Sequence, residues 1–301
     1  MKNSGILLAL IVTSIFTLST RAGDAGTLAT ILVPDEDWQA VVTGLGFADG
    51  LSYDVATGNI FFSDMKPKEP EKPGIYTLSP TLEKKRLFDG KFSGTRAGAD
   101  GKTLYAIGSG KIVSFALPNG PETLVAEKVG TNDLVVTREG RVYFTGNGKM
   151  QVSLADAKTQ AVSAADVGHV KSPNGIGLSP DQKMLLVSDY GGVNVWTFAI
   201  QPDGTLADRK PAMTMKCPEK QPDVSKGDGM AIDADGRAYV TTALGLQIFA
   251  PGGERLGVVP KPKNDGLRSC TFGGTDLNYL YVACGDTIYR RKVQVKGVSF
   301  K

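Results

Sequence analysis

From about residue 47 onward, apolar and polar positions alternate in runs of five or six residues, each closed by a polar turn. A period of two over so short a window predicts β-strands, and helical spacing is weak throughout, a possible short turn near Leu154 to Ala164 excepted. One pattern recurs. A polar lead, an alternating strand, a tight turn and a second strand rich in aliphatic and aromatic residues come together, the second strand reading NIFFSD (59–64), TLYAIG (103–108), RVYFTG (141–146), MLLVSD (184–189), RAYVTT (237–242) and YLYVAC (279–284). With Ser63, Ile107, Thr145, Ser188, Thr241 and Ala283 as equivalent points, the intervals are 44, 38, 43, 53 and 42 residues. Six such units, with turns at Thr57-Gly58, Asp100-Gly101, Glu139-Gly140, Asp203-Gly204 and Asp235-Gly236, predict an all-β six-bladed propeller with four antiparallel strands per blade. The segment TLATILVP (27–34) is expected to pair with the last blade, closing the ring and removing its free edges.

The rest of the composition adds compartment and excludes chemistries. Lys2 precedes an apolar run, GILLALIVTSIFTL (5–18), with the length of a secretory signal core and too short to span a bilayer comfortably. Small residues around Thr20-Arg21-Ala22 suit a signal peptidase, so residues 1–22 are expected to be a signal peptide and 23–301 a single propeller domain, exported to the periplasm or beyond and free of the membrane after cleavage. A monomer is expected. The net charge is +3 and the lysines and arginines are scattered, a mixed surface rather than a nucleic-acid footprint. Cys217, Cys270 and Cys284 are odd in number, which excludes a disulfide framework, and the register of the last two does not set them opposite each other. His169 is the only histidine, so no histidine cluster for zinc exists.

The candidate chemistry lies at the head of each inner strand, where the chain enters the central channel. The first unit opens with Asp49-Gly50, the third with Asn132-Asp133, the fourth with Asn174-Gly175 and the fifth with Asp228-Gly229. Asn-Gly and Asp-Gly are favoured hairpin dipeptides. Here they stand too early for that role: Asp49 precedes the turn glycine Gly58 by nine residues, Asn132 precedes Gly140 by eight and Asp228 precedes Gly236 by eight. Two carboxylates and two amide oxygens make a hard, all-oxygen set for one divalent metal, Ca²⁺ first and Mg²⁺ or Mn²⁺ next. Four protein ligands leave a calcium ion with open positions for water or substrate. Asp133 is expected on the opposite strand face in a structural role, and Asp64 and Asp189 as turn formers.

In their order, FADGLSYD (47–54), TNDLVVTREGRVYFTG (131–146), SPNGIGLSPDQKMLLVSD (172–189), GDGMAIDADGRAYV (227–240) and CTFGGTDLNYLYVACG (270–285) resemble the gluconolactonase and regucalcin (senescence marker protein) family of six-bladed propellers. The resemblance implies a metal-dependent lactonase acting on a small sugar lactone, with Asn132, Asn174 and Asp228 as metal ligands, Asp49 where the family usually has glutamate, and Asp228 as the catalytic base. Whether Asp228 or a metal-activated water is the base is not decided by the residues. Asn132, Arg96 in the second unit and Arg268 in the sixth are the expected sugar contacts. Gly130 stands where some relatives carry an arginine, so the identity of the lactone is open. A calcium-stabilised propeller that binds a sugar or partner without chemistry, or an esterase acting on a different lactone, would keep the same four residues.

Overall fold

The computed structural model describes residues 28–146 and 150–299; the expected signal peptide lies outside the described residues. The chain forms six four-stranded antiparallel sheets. Their inner strands are Ala48–Tyr53, Gly94–Ala97, Leu134–Val136, Pro173–Leu178, Met230–Ile232 and Leu267–Gly273, and each pairs with the second strand of its own blade. The second strands are Ile60–Asp64, Thr103–Gly108, Arg141–Gly146, Met184–Asp189, Ala238–Thr242 and Tyr279–Cys284, within one residue of the six expected runs.

Period-two alternation sends successive residues of a second strand to opposite faces, and each face meets a different blade. In blade four, Leu185 and Val187 pack with Tyr143 and Val152 of blade three, whereas Leu186 packs with Val240 and Phe249 of blade five. Six apolar wedges arise in this way, one between each pair of neighbours, the last joining Tyr281 and Ile288 of blade six to Phe62 and Tyr76 of blade one. Because the apolar cores lie between blades, the axis is left for polar groups.

Ring closure comes from a strand other than the one expected. Gln39–Val42 is the outermost strand of blade six and pairs with Thr287–Lys292, Gln39 opposite Arg290 and Val42 opposite Ile288. Within the segment 27–34, Leu28 to Leu32 form a turn whose only ladder contact is the bridge from Leu32 to Val293. Its apolar side chains cap neighbouring blades instead: Ile31 is buried between blades five and six, and Leu28 covers Gly257. The Leu154 to Ala164 stretch is a strand hairpin, Gln151–Asp156 with Val162–Val167, and not a helical turn. All three cysteines are free, Cys270 and Cys284 being buried in the wedge between blades five and six. His169 is exposed, close to Asp166 and Arg209.

Candidate active site

An open cavity of about 980 Å³, solvent at its mouth included, lies where the inner strands begin. It is lined by one head residue from every blade in turn: Asp49, Ser93, Asn132, Asn174, Asp228 and Arg268. The four expected ligands and Arg268 are therefore brought to one cavity, with Ser93 filling the place in blade two that the sequence left unassigned.

Two local devices hold these heads. The first is the residue that follows them, a glycine in blades one, two, four and five, where neighbouring inner strands come closest. A Cβ on Gly175 would sit 2.1 Å from the Asp228 carbonyl oxygen, and one on Gly229 would sit 2.7 Å from that of Arg268. These Asn-Gly and Asp-Gly pairs thus serve close backbone approach rather than hairpin turns. The second device is a set of hydroxyls. Thr145 Oγ1 donates to the Asn174 carbonyl at 2.5 Å, Ser188 Oγ to that of Asp228 at 2.7 Å, Thr241 Oγ1 to that of Arg268 at 3.0 Å and Ser93 Oγ to that of Asn132 at 2.6 Å. Blades two to five each pin the head of the next. Asp64 and Asp189 also do more than form turns: Asp64 accepts from the Gly46 and Phe47 amides, and Asp189 from those of Lys171 and Ser172, clamping the loops that lead into inner strands one and four.

Asp133 takes the place that glycine holds in four other blades, and unlike Asn132 beside it, it is not among the residues lining the open cavity. Its Oδ1 accepts from the Leu134 amide at 2.8 Å and lies beside Gly94. Burial pushes the Asp133 carboxyl up, while the Arg96 guanidinium and backbone amides pull it back. Burial likewise pushes Asp49 up, to about 7, against the Gly50 amide and Arg268 and with help from the charge of Asp133. Asp228 is pushed well above the usual carboxylate range by burial first and then by Asp49 and Asp133, with Arg268 and the Gly229 amide opposing. Burial raises all three carboxyls despite the opposing charges of Arg96 and Arg268, an electrostatic setting that a divalent cation relieves. Among the described residues there is no group of three or more His, Cys, Asp or Glu arranged to hold a metal. The donor set is instead mixed, the carboxylates of Asp49 and Asp228 with the amides of Asn132 and Asn174, and it fits a hard, oxygen-preferring ion.

Arg96 is not at this mouth. It lines a second cavity at the far ends of the inner strands, walled by Tyr53, Val135, Ile176, Met230 and Phe272. It lies two residues beyond Gly94 along its strand, and its Nε donates to the Leu134 carbonyl at 3.3 Å. The expectation that it contacts substrate from the same rim as Arg268 is therefore corrected: depth along the strand, not membership of the right unit, decides which mouth a side chain reaches. Arg268 does face the site, with its guanidinium 3.8 Å from the Phe47 ring centroid and Nη1 donating to the Gly285 carbonyl. Tyr190, Lys226 and Lys261 line the same cavity and come from loops between strands, where no periodicity in the sequence points to them.

Against known proteins, the chain is 26% identical over 286 residues to the gluconolactonase of Zymomonas mobilis, covering 81% of this chain and 78% of that protein. Among solved structures it is similar to a gluconolactonase from Xanthomonas campestris, with a TM-score of 0.74 at 22% identity over 88% of this chain and 92% of that one. It is also similar to regucalcin, a calcium-binding protein from Agrobacterium tumefaciens, with a TM-score of 0.73 at 14% identity over 87% and 95% of the two chains. At these identities the structural likenesses speak to the fold. The family profile described as SMP-30/Gluconolactonase/LRE-like region matches residues 47–285, and the chain belongs to that family.

Proposed function

We propose that this protein hydrolyses a sugar lactone with the help of one divalent cation, Ca²⁺ foremost, held by Asp49, Asn132, Asn174 and Asp228. The observation that carries the reading is the convergence of two carboxylates and two amides, from four different blades, on one open cavity at the axis. When bound, such an ion supplies Lewis-acid polarisation of the lactone carbonyl. The chain's own groups do the rest. Asp228 takes the proton of the water whose oxygen attacks the carbonyl carbon. The bond between that carbon and the ring oxygen then breaks, and the proton passes to the departing oxygen, so that lactone and water yield one hydroxy acid. Arg268 and Asn132 offer hydrogen bonds to sugar hydroxyls, and the Tyr190 ring forms part of the wall. Asp49 is one methylene shorter than the glutamate usual in the family, so its carboxylate would reach less far toward a bound ion than a glutamate would. The apolar run of residues 5–18 supports action outside the cytoplasm.

The test is acid release from glucono-δ-lactone above the spontaneous rate. Chelation is expected to abolish it and Ca²⁺, Mg²⁺ or Mn²⁺ to restore it, and Asp228→Ala and Asn174→Ala should each lower kcat/KM at least about a hundredfold while staying folded. Full turnover in chelated protein or in both variants would overturn the assignment. Binding of sugar without any acid release would instead identify a non-catalytic binding propeller.

A further inference from the structure

The cavity carries charges of both signs. Asp49 and Asp228 carry the carboxylates, whereas Lys226, Lys261 and Arg268 all reach the cavity from the arc of blades five and six. Neither Lys226 nor Lys261 has a carboxylate within 4 Å among the described residues. Lys261 also borders a groove containing Asp37, but that carboxylate pairs with Arg291 at 3.8 Å. Arg268 is held by an aromatic ring and a carbonyl oxygen, both uncharged. Lys226 and Lys261 thus reach the cavity without an ion-pair partner among the described residues, beside Arg268, whose charge acts on Asp49 and Asp228. Lys226 has φ +53°, a left-handed conformation that lysine rarely adopts, directly before the Gly227-Asp228 head.

We propose that this arc binds a negatively charged group on the substrate, so that the preferred lactones carry an anionic substituent, a carboxylate or a phosphate, remote from the ring carbonyl. The inference rests on the lactonase reading for its substrate and adds the substituent. A neutral sugar lactone would leave Lys226 and Lys261 facing water, whereas an anion placed beside them forms charge-assisted hydrogen bonds in a partly enclosed site. Carboxylate and phosphate share this chemistry and differ in shape and charge, so both are tested.

Steady-state hydrolysis by the metal-loaded protein is compared in two matched pairs, glucono-γ-lactone with glucaro-γ-lactone, and glucono-δ-lactone with its 6-phosphate. At low ionic strength the anionic member of at least one pair should be favoured in kcat/KM by about tenfold or more, and the preference should shrink as salt is raised. The pair with the larger preference identifies the anion. The double substitution Lys226→Ala with Lys261→Ala should cut that preference at least about fivefold, mainly through KM. Equal rates within both pairs, or a double variant that lowers charged and neutral substrates alike, would overturn the proposal. If no lactone of either kind is opened, the lactonase reading fails and the charge reading is decided by calorimetry. Glucose 6-phosphate or glucuronate should then bind more tightly than glucose to the parent protein and lose that advantage in the double variant; equal affinities overturn it.

Discussion

Asp49 shows how much a single carboxyl reports about its surroundings. Its pKa rises from the ordinary 3.8 to about 7, chiefly through burial. The folded state therefore holds this proton more tightly than the unfolded chain, and the stability it contributes is fully present below about pH 4 and lost as pH climbs through about 7. Asp133 and Asp228 shift the same way. Chelated protein is thus expected to melt at progressively lower temperature from about pH 4 to 7, Asp49→Asn should flatten that fall, and saturating Ca²⁺ should raise Tm most at neutral pH; a chelated protein that gains stability over this range would refute the electrostatic picture. At this scale much of the site was legible, because Asp49, Asn132, Asn174 and Asp228 share a position relative to the turn that follows. Asp133 caps the start of its strand by accepting from the Leu134 amide and stays out of the open cavity, as the structural role expected of it requires, but its charge on Asp49 and Asp228 has no counterpart in the sequence pattern. Lys226, Lys261 and Tyr190 were invisible for a related reason: loops carry no period.

Between strands, the hydroxyls of Thr145, Ser188 and Thr241 connect one blade to the head residue of the next. Their positions are the same ones that mark the repeat in the sequence, yet their hydrogen bonds cross to a neighbouring unit, which repeat spacing alone does not reveal. Thr145 donates to the carbonyl of Asn174 from a fully buried site, so Thr145→Val keeps the shape and leaves that acceptor short of a partner. A loss of about 1 kcal/mol in denaturant unfolding is expected. A fall in lactonase kcat/KM should accompany it, as the head of blade four loosens, and Thr145→Ser should recover most of both losses. A valine variant of unchanged stability and activity would show that the hydroxyl positions nothing. The second strands themselves were read to within a residue, since their residues are buried on both faces and write an unbroken apolar run.

For the whole molecule, the sixth blade is the informative one. The sequence pointed to residues 27–34 as its closing strand because they are the more apolar stretch, whereas the strand that closes it, Gln39–Val42, sits at an outer edge where two of its four residues are exposed and little hydrophobicity is required. Deleting residues through Val42 should leave Thr287–Lys292 as an open edge, and size-exclusion chromatography is expected to show self-association, with a Tm lowered by several degrees; a monomer of unaltered Tm would mean that the strand is dispensable. The pairing of Gln39 with Arg290 spans 251 positions of chain. One of the earliest strands of the propeller to leave a ribosome must therefore wait for nearly the last before it has a partner. Contacts so remote in sequence slow the search for the native state, so the ring is expected to lock late and all at once, with five blades in place offering no stable resting point.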